Sequence, residues 1–483
     1  YNKKINWNFY SEKQDNLFDR QIYYPRGKVL GGSGSINAMV YARGLETDYE
    51  NWGTSKEWSF ENIKKVYHSM EQQINNNKDY LIGEKIPVNN VSEHHHPILE
   101  YFFNASNEIG IKKNTNLTTS SQDQVGHYNI NTYRGTRHSS SKVFLKPISK
   151  NQRLTILNNT QVKKLIIQDK KITGIKIQNK SLEKIIKLSQ GAILCSGSIM
   201  TPYLLMHSGI GDKEHLKQHN KEIIIDNFNV GRNLQDHLGL DYLFKTHHHS
   251  LNKSLGTWPG RITSFLKYIY NRSGPLSLSI NQSGGYINWN SKHHYPNLQI
   301  YFNPLTYSIT HKNKRPLLKT DKFNGFIIGY NSCRPKSLGR ITLNSPNPDD
   351  TPLIDPNFLS HDEDIYDVKC AINFSKILAS TDNIKKIRKE SVKHDLLNAN
   401  EEDMIDHFKS NAVSIYHPCG TCKMHEDPKK GVVSERLKVH GLENLWIADA
   451  SVFPNITSGN INAPVMMLAN LGSKFIIEDL KKI

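Results

Sequence analysis

The chain has 483 residues, with 62 Lys+Arg against 45 Asp+Glu and a formal net charge of +17, and its pI lies near 9.3. That length exceeds what one compact core usually holds and points to two domains, or one large domain with a second embedded in it. Five irregularly spaced cysteines exclude a disulfide framework, no run approaches the roughly 18 apolar residues of a membrane span, and the first residues lack a signal-peptide core. A cytoplasmic setting, with peripheral contact to a membrane as its variant, is the expectation. The lysines are scattered among asparagines, as in "QDKKITGIKIQNK", and are not gathered with aromatics on one stripe. The charge excess therefore reads as a solvated surface and no nucleic-acid partner is expected.

In chain order, the first informative stretch is "PRGKVLGGSGSINAMVYARG", residues 25 to 44. Gly31, Gly32 and Gly34 around Ser33 and Ser35 allow the backbone to approach another group closely, and "INAMVYA" is predicted to start a helix aimed at it. The stretch is neither G-x-G-x-x-G nor G-K-[ST], so it is no dinucleotide fingerprint or P-loop. Residues 152 to 195 read as β structure, with β-branched runs between Asn and Asp-Lys-Lys turn signals. They lead into "GAILCSGSIMTPYLLMHSGIG", a buried strand, a glycine turn and a helix closed by Gly209 and Gly211. Further strands are predicted in 289 to 345, and "DEDIYDVKCAINFSKILAS" has helical spacing with acids in its first turn. Strands and helices mixed along the whole length argue for an α/β plus α+β composite.

"IYHPCGTCKM", residues 415 to 424, places His417 before a C-x-x-C pair. A metal clip, a redox dithiol and histidine chemistry are the alternatives. No second C-x-x-C or Cys/His cluster completes the four ligands zinc needs, so no metal is expected, and Cys419 and Cys422 read as small packing residues. The "HHH" runs at 94 to 96 and 247 to 249 read as exposed loops.

Together with "VGRNLQDH" (230 to 237), "GTRHSSSKVFLKP" (135 to 147), "RPKSLGRITLNSPNPDDTPLIDPNFL" (334 to 359) and "DASVFPNITSGNINAPVMMLAN" (449 to 470), these segments closely resemble the glucose-methanol-choline (GMC) family of FAD-dependent oxidoreductases. The resemblance implies an FAD-binding Rossmann-like domain over 1–50, 128–238 and 411–483. Into it a substrate-binding domain, 51–127 and 239–410, is inserted on an antiparallel sheet with helices. Family members open with a strand, G-x-G-x-x-G and a helix, a unit of about 30 residues or more. This sequence lacks it, so the expected FAD domain is truncated at its N-terminus and the sequence is expected to be a fragment of a longer protein.

The resemblance further implies catalytic roles for His417, as proton acceptor, and Asn462, as donor to the developing alkoxide, with hydride passing to the flavin. It implies cofactor contacts from Gly31, Gly32, Asn37, Val162, Asp449, Ala450, Asn460 and Pro464. Some members tether FAD through a histidine where this chain has Ile36, so non-covalent FAD is expected. Gln282 and Tyr416 are expected at the substrate pocket. Choline-specific relatives hold the trimethylammonium with a carboxylate where Gln282 stands, which makes a neutral primary alcohol the expected substrate. The electron acceptor, O₂ or a quinone or another carrier, is left open. Alternative readings are a cyanohydrin lyase on the same fold and an inactive flavin-free fragment.

Overall fold

The computed structural model describes residues 4–75, 80–115, 117, 123–180, 182–312 and 315–481, without the side chains of 309–312 and 315–318. Helix α1 (Phe60–Met70) begins at Ser59, whose hydroxyl accepts the Asn62 N–H, and it buries Ile63, Val66, Tyr67 and Met70 at three- and four-residue spacing. Helix α2 (Leu99–Glu108) precedes β1 (Gln124–His127). An antiparallel meander follows, β2 (Thr160–Gln168), β3 (Lys171–Asn179) and β4 (Leu182–Lys187). Its first turn places Asp169 and Lys170 at φ 48° and 61°, the left-handed pair a two-residue hairpin requires. Strand β5 (Ala192–Leu194) runs through a short turn into α3 (Gly197–His207), the strand, turn and helix expected there.

The remaining strands of the main sheet are β6 (Leu238–Thr246), β7 (Ser283–Ile287), β8 (Leu298–Asn303), β9 (Gly325–Ser332), β10 (Arg388–Val392) and β11 (Val413–Ser414). Their order is β10-β6-β9-β8-β7-β1, antiparallel throughout, and β11 also pairs with β6. Strands β7 and β8 are buried along their whole length. Helix α4 (Leu251–Gly256) and α5 (Trp258–Asn271) lie between β6 and β7, and α6 (Asp362–Ser380) packs on β9 with Asp362, Glu363 and Asp364 in its first turn. Strand β12 (Leu445–Ile447) pairs in parallel with β5, and α7 (Asn462–Leu480) ends the described fold against α1.

One expectation is corrected. "INAMVYA" forms no helix: a single 3-10 turn covers Gly32–Ser35, and Met39 sits at φ 67°. The reason is local competition for the backbone. The Asn37 side chain accepts the Met39 N–H at 3.0 Å, and Arg137 Nη2 donates to the Asn37 carbonyl at 2.7 Å, so neither group is free for a helical ladder.

Candidate active site

His417 follows β11, and its main chain is held before its ring is. Its N–H donates to Asp236 Oδ1 at 2.7 Å, and the Ser414 hydroxyl donates to Asp236 Oδ2. Burial raises the Asp236 carboxyl to about 6, against the lowering effect of Ser414, Tyr24, the His417 amide and Arg26. The preceding residue, Tyr416, stands at φ 69°, and its carbonyl accepts from Arg26 Nη2 at 2.6 Å. Arg26 thereby ties the start of the glycine loop to the histidine segment.

The ring of His417 has a proton arrangement that follows from its neighbours. His237 Nε2 lies 3.0 Å from the Cys333 carbonyl, which can only accept, so His237 carries its proton on Nε2. His237 Nδ1 is then a bare acceptor, and it lies 2.9 Å from His417 Nδ1. His417 must therefore be protonated on Nδ1 and bare on Nε2. Asn460 Nδ2, at 3.1 Å, donates to that Nε2 lone pair. Burial, then His237 and Arg26, holds the His417 pKa well below 6.5, and burial takes His237 to about 4. Two neutral imidazoles result, and the outer one offers a lone pair to whatever displaces the amide.

Asn460 reaches this place through Gly459. Gly459 has φ 83°, and a Cβ there would stand 2.2 Å from Tyr286 Oη, so only glycine lets the loop lie so close to β7. Asn460 also faces Tyr301 of β8, and its Oδ1 is buried with no partner among the described residues. Asn462, the residue expected beside His417, is instead the first residue of α7, and its Oδ1 faces Gly34. The amide in contact with His417 is that of Asn460, two residues earlier. Sequence reading also passed over Asp236 and His237, although "VGRNLQDH" contains both.

Of the other expected contacts, Gly31, Gly32 and Asn37 lie on the glycine loop and Asp449 bonds to α3. Gly31 has φ 82°, and a Cβ there would meet Ser35 Oγ and Ser141 Oγ; around Gly32, at φ 54°, the space is open. Asn37 Oδ1 accepts from Arg137 Nη1, whose guanidinium thus grips Asn37 at two points. Asp449 is buried and accepts from the Gly197 N–H at 2.9 Å, Thr201 Oγ1 at 2.7 Å and the Ser451 N–H at 2.8 Å. The Ala450 carbonyl accepts the Gly420 N–H at 3.0 Å, and Ser198 Oγ donates to the Pro418 carbonyl, which joins α3 to the His417 segment. Pro464 lies buried in the first turn of α7. Val162, on β2, is 36% exposed.

Gln282 is 1% exposed; its Oε1 accepts the His96 N–H at 2.9 Å, and its Nε2 has no partner among the described residues. Ser279, three residues earlier, donates to the Ala38 carbonyl at 2.7 Å and fixes this wall to the glycine loop. The 94–96 run is not the exposed loop expected: His95 Nδ1 lies 2.8 Å from His127 Nδ1, and burial holds His95 at about 3 and His127 at about 4. Cys419 and Cys422 are fully buried, and burial pushes both thiols well above 9.0. No metal-holding cluster occurs among the described residues.

Family models described as GMC oxidoreductase match residues 16–239 and 335–469. The alcohol dehydrogenase [acceptor] of Pseudomonas putida is 33% identical over 482 residues, covering 98% of this chain and 86% of that protein. The oxygen-dependent choline dehydrogenase of Brucella anthropi is 29% identical over 478 residues, covering 98% and 85%. A solved formate oxidase of Aspergillus oryzae superposes with a TM-score of 0.89 at 25% identity, over 99% of this chain and 89% of that one.

The residues present fit FAD. Beyond the adjacent residues, nothing stands within 4 Å of where a Cβ would be at Gly32 and Gly197, so the chain leaves room for a ligand to approach the backbone at both. Helix α7 begins without a side-chain cap, leaving its first N–H groups for acceptor atoms. Gln282 Nε2 and Asn460 Oδ1 are buried polar atoms without partners. With this cradle, two matched family regions and a relative 33% identical over 98% of this chain, the chain belongs to the GMC oxidoreductase family and is an FAD-dependent oxidoreductase acting on CH–OH donors.

Proposed function

We propose that the protein oxidises a neutral primary alcohol, aliphatic or aromatic, to the aldehyde, with His417 as base and Asn460, in place of Asn462, as donor to the alcohol oxygen. The observation that supports it most is the bare Nε2 of a buried, neutral His417, whose other nitrogen is committed to His237. The substrate hydroxyl takes the place of the Asn460 amide on Nε2 and gives up its proton there. Asn460 Nδ2 then donates to the oxygen on which negative charge develops. Burial among Tyr286, Tyr301 and Gly459 excludes water and strengthens both contacts.

FAD, when bound, supplies the acceptor for the departing hydride. Gly31, Gly32, Asn37, Asp449, Ala450 and Pro464 would hold it, with Val162 at the adenine. Ile36 offers no nucleophile, which supports non-covalent attachment. Gln282 carries a buried N–H without a partner among the described residues and no carboxylate, which suits a hydroxyl and leaves a quaternary ammonium without a counter-charge. The P. putida relative, named an alcohol dehydrogenase, agrees with this reading.

Anaerobic addition of butanol or benzyl alcohol to the yellow protein is expected to bleach the flavin. The His417→Ala protein is expected to stay yellow and unbleached. Turnover of mandelonitrile without bleaching would instead establish the lyase and overturn the assignment.

A further inference from the structure

Helix α5 carries its apolar face on the outside. Trp258, Ile262, Phe265, Leu266 and Ile269 recur at i, i+4, i+7, i+8 and i+11, within about 100° of arc at 3.6 residues per turn. An arc of that kind normally faces a core. Here the five residues are 76%, 55%, 56%, 58% and 54% exposed, and the only buried residue of the helix is Ser264. Ser264 lies on the far side, where its hydroxyl donates to the Ser254 carbonyl of α4 at 3.3 Å. Gly260, one turn earlier on that side, lies so close that a Cβ would stand 2.2 Å from the Lys253 carbonyl. Small residues thus dock the helix on the protein, and the large apolar ones face away from it. Tyr270, at 92%, and Leu276, at 45%, extend the same exposed surface.

The charge around this face has one sign. Between Asp241 and Asp321 the sequence contains no Asp or Glu, whereas Lys253, Arg261, Lys267 and Arg272 are exposed on and beside the helix. The Arg261 guanidinium lies 5.9 Å from the Trp258 ring centre, and that of Arg272 lies 4.8 Å from the Tyr268 ring. Apolar and aromatic residues edged by cations match the boundary of an anionic bilayer, where acyl chains meet negative headgroups. A second copy of the chain would set the same cations against one another. At 14 residues the helix is too short to cross a membrane, and no helix among the described residues is long and apolar enough to do so.

We propose that α5, with the turn through Leu276, is an interfacial helix that seats the protein on an anionic lipid surface. The inference is independent of the reaction, since none of these residues belongs to the site around His417.

The test is flotation of the purified, FAD-loaded protein with vesicles of phosphatidylcholine containing phosphatidylglycerol, and with phosphatidylcholine alone. The protein is expected to float with the anionic vesicles and to partition more weakly to the neutral ones. The Ile262→Gln/Phe265→Gln/Ile269→Gln variant is expected to stay at the bottom of the gradient with an unchanged melting temperature, because all three side chains are exposed. Removing each of Arg261 and Lys267 as glutamine should weaken the anionic partition by about fivefold per cation. Three results would overturn the proposal: no flotation of the unmodified protein, equal flotation of the triple variant, or a lipid-free dimer that the triple variant converts to a monomer.

Discussion

Replacing His237 with alanine tests the proton arrangement on which the proposed base depends. The substitution leaves every group that would touch substrate in place and removes the acceptor 2.9 Å from His417 Nδ1, together with the donor to the Cys333 carbonyl. His417 is 8% exposed, so water does not readily replace that acceptor, and a proton on Nδ1 is left buried without a partner. An unsatisfied buried donor costs about 1–3 kcal/mol. That cost drives the proton to Nε2, where it finds a substrate oxygen but can no longer accept from it. The population of the competent tautomer, and with it kcat for flavin reduction, should fall about 5- to 150-fold. The assay is anaerobic stopped-flow reduction with an alcohol at saturating concentration, on protein shown to hold its flavin. His237→Asn, whose amide oxygen can accept from Nδ1, should recover most of the loss, which a merely structural role for His237 would not predict. Reduction by the alanine variant within twofold of the unmodified protein would refute the reasoning.

Further outcomes are expected. His417→Ala should lower flavin reduction by about 10²- to 10⁴-fold, the usual contribution of a positioned base, with flavin still bound; because burial holds the His417 pKa well below 6.5, the acid limb of the kcat/KM profile of the unmodified enzyme should lie below pH 6.5. Asn460→Ala should lower kcat by about 10- to 150-fold, as loss of a hydrogen bond to a developing charge does, and Asn462→Ala by much less; the reverse order in single-turnover measurements would return the role to Asn462. Acid precipitation should release all flavin to the supernatant, and butanol or benzyl alcohol should exceed choline in kcat/KM. Stability should fall as pH drops below 6.5: His237 is held at about 4 in the fold, so the unfolded chain binds its proton first, at a loss on the order of 3 kcal/mol by pH 4. His95 at about 3 and His127 at about 4 act in the same direction, whereas Asp236 and Asp367, raised to about 6, offset part of the loss; urea midpoints across pH 4 to 8 measure the balance.

Much of the site was legible in the chain because its chemistry is local. Glycines at 31 and 32, the strand, turn and helix from β5 into α3, and a histidine ahead of Pro418 each state a backbone or side-chain requirement within a few residues. The acids opening α6 and the Asp169-Lys170 turn are of the same kind. "INAMVYA" failed as a helix because Arg137, 100 residues away, takes the Asn37 carbonyl, a partner no local pattern announces.

The sequence by itself determined which residue types exist to do the work: a histidine, two asparagines near the start of α7, and an apolar stripe on α5. Tertiary structure decided which of them meet. Asn460, in the loop before α7, meets His417 Nε2, whereas Asn462 opens the helix with its Oδ1 against Gly34. His417 finds its proton partner 180 residues earlier, fixed in turn by the Cys333 carbonyl just beyond β9. The stripe on α5 would pass for a core face in any pattern count; only the docking of Gly260 and Ser264 against α4 leaves it facing outward, because a helix can bury one side and the smaller residues allow the closer approach.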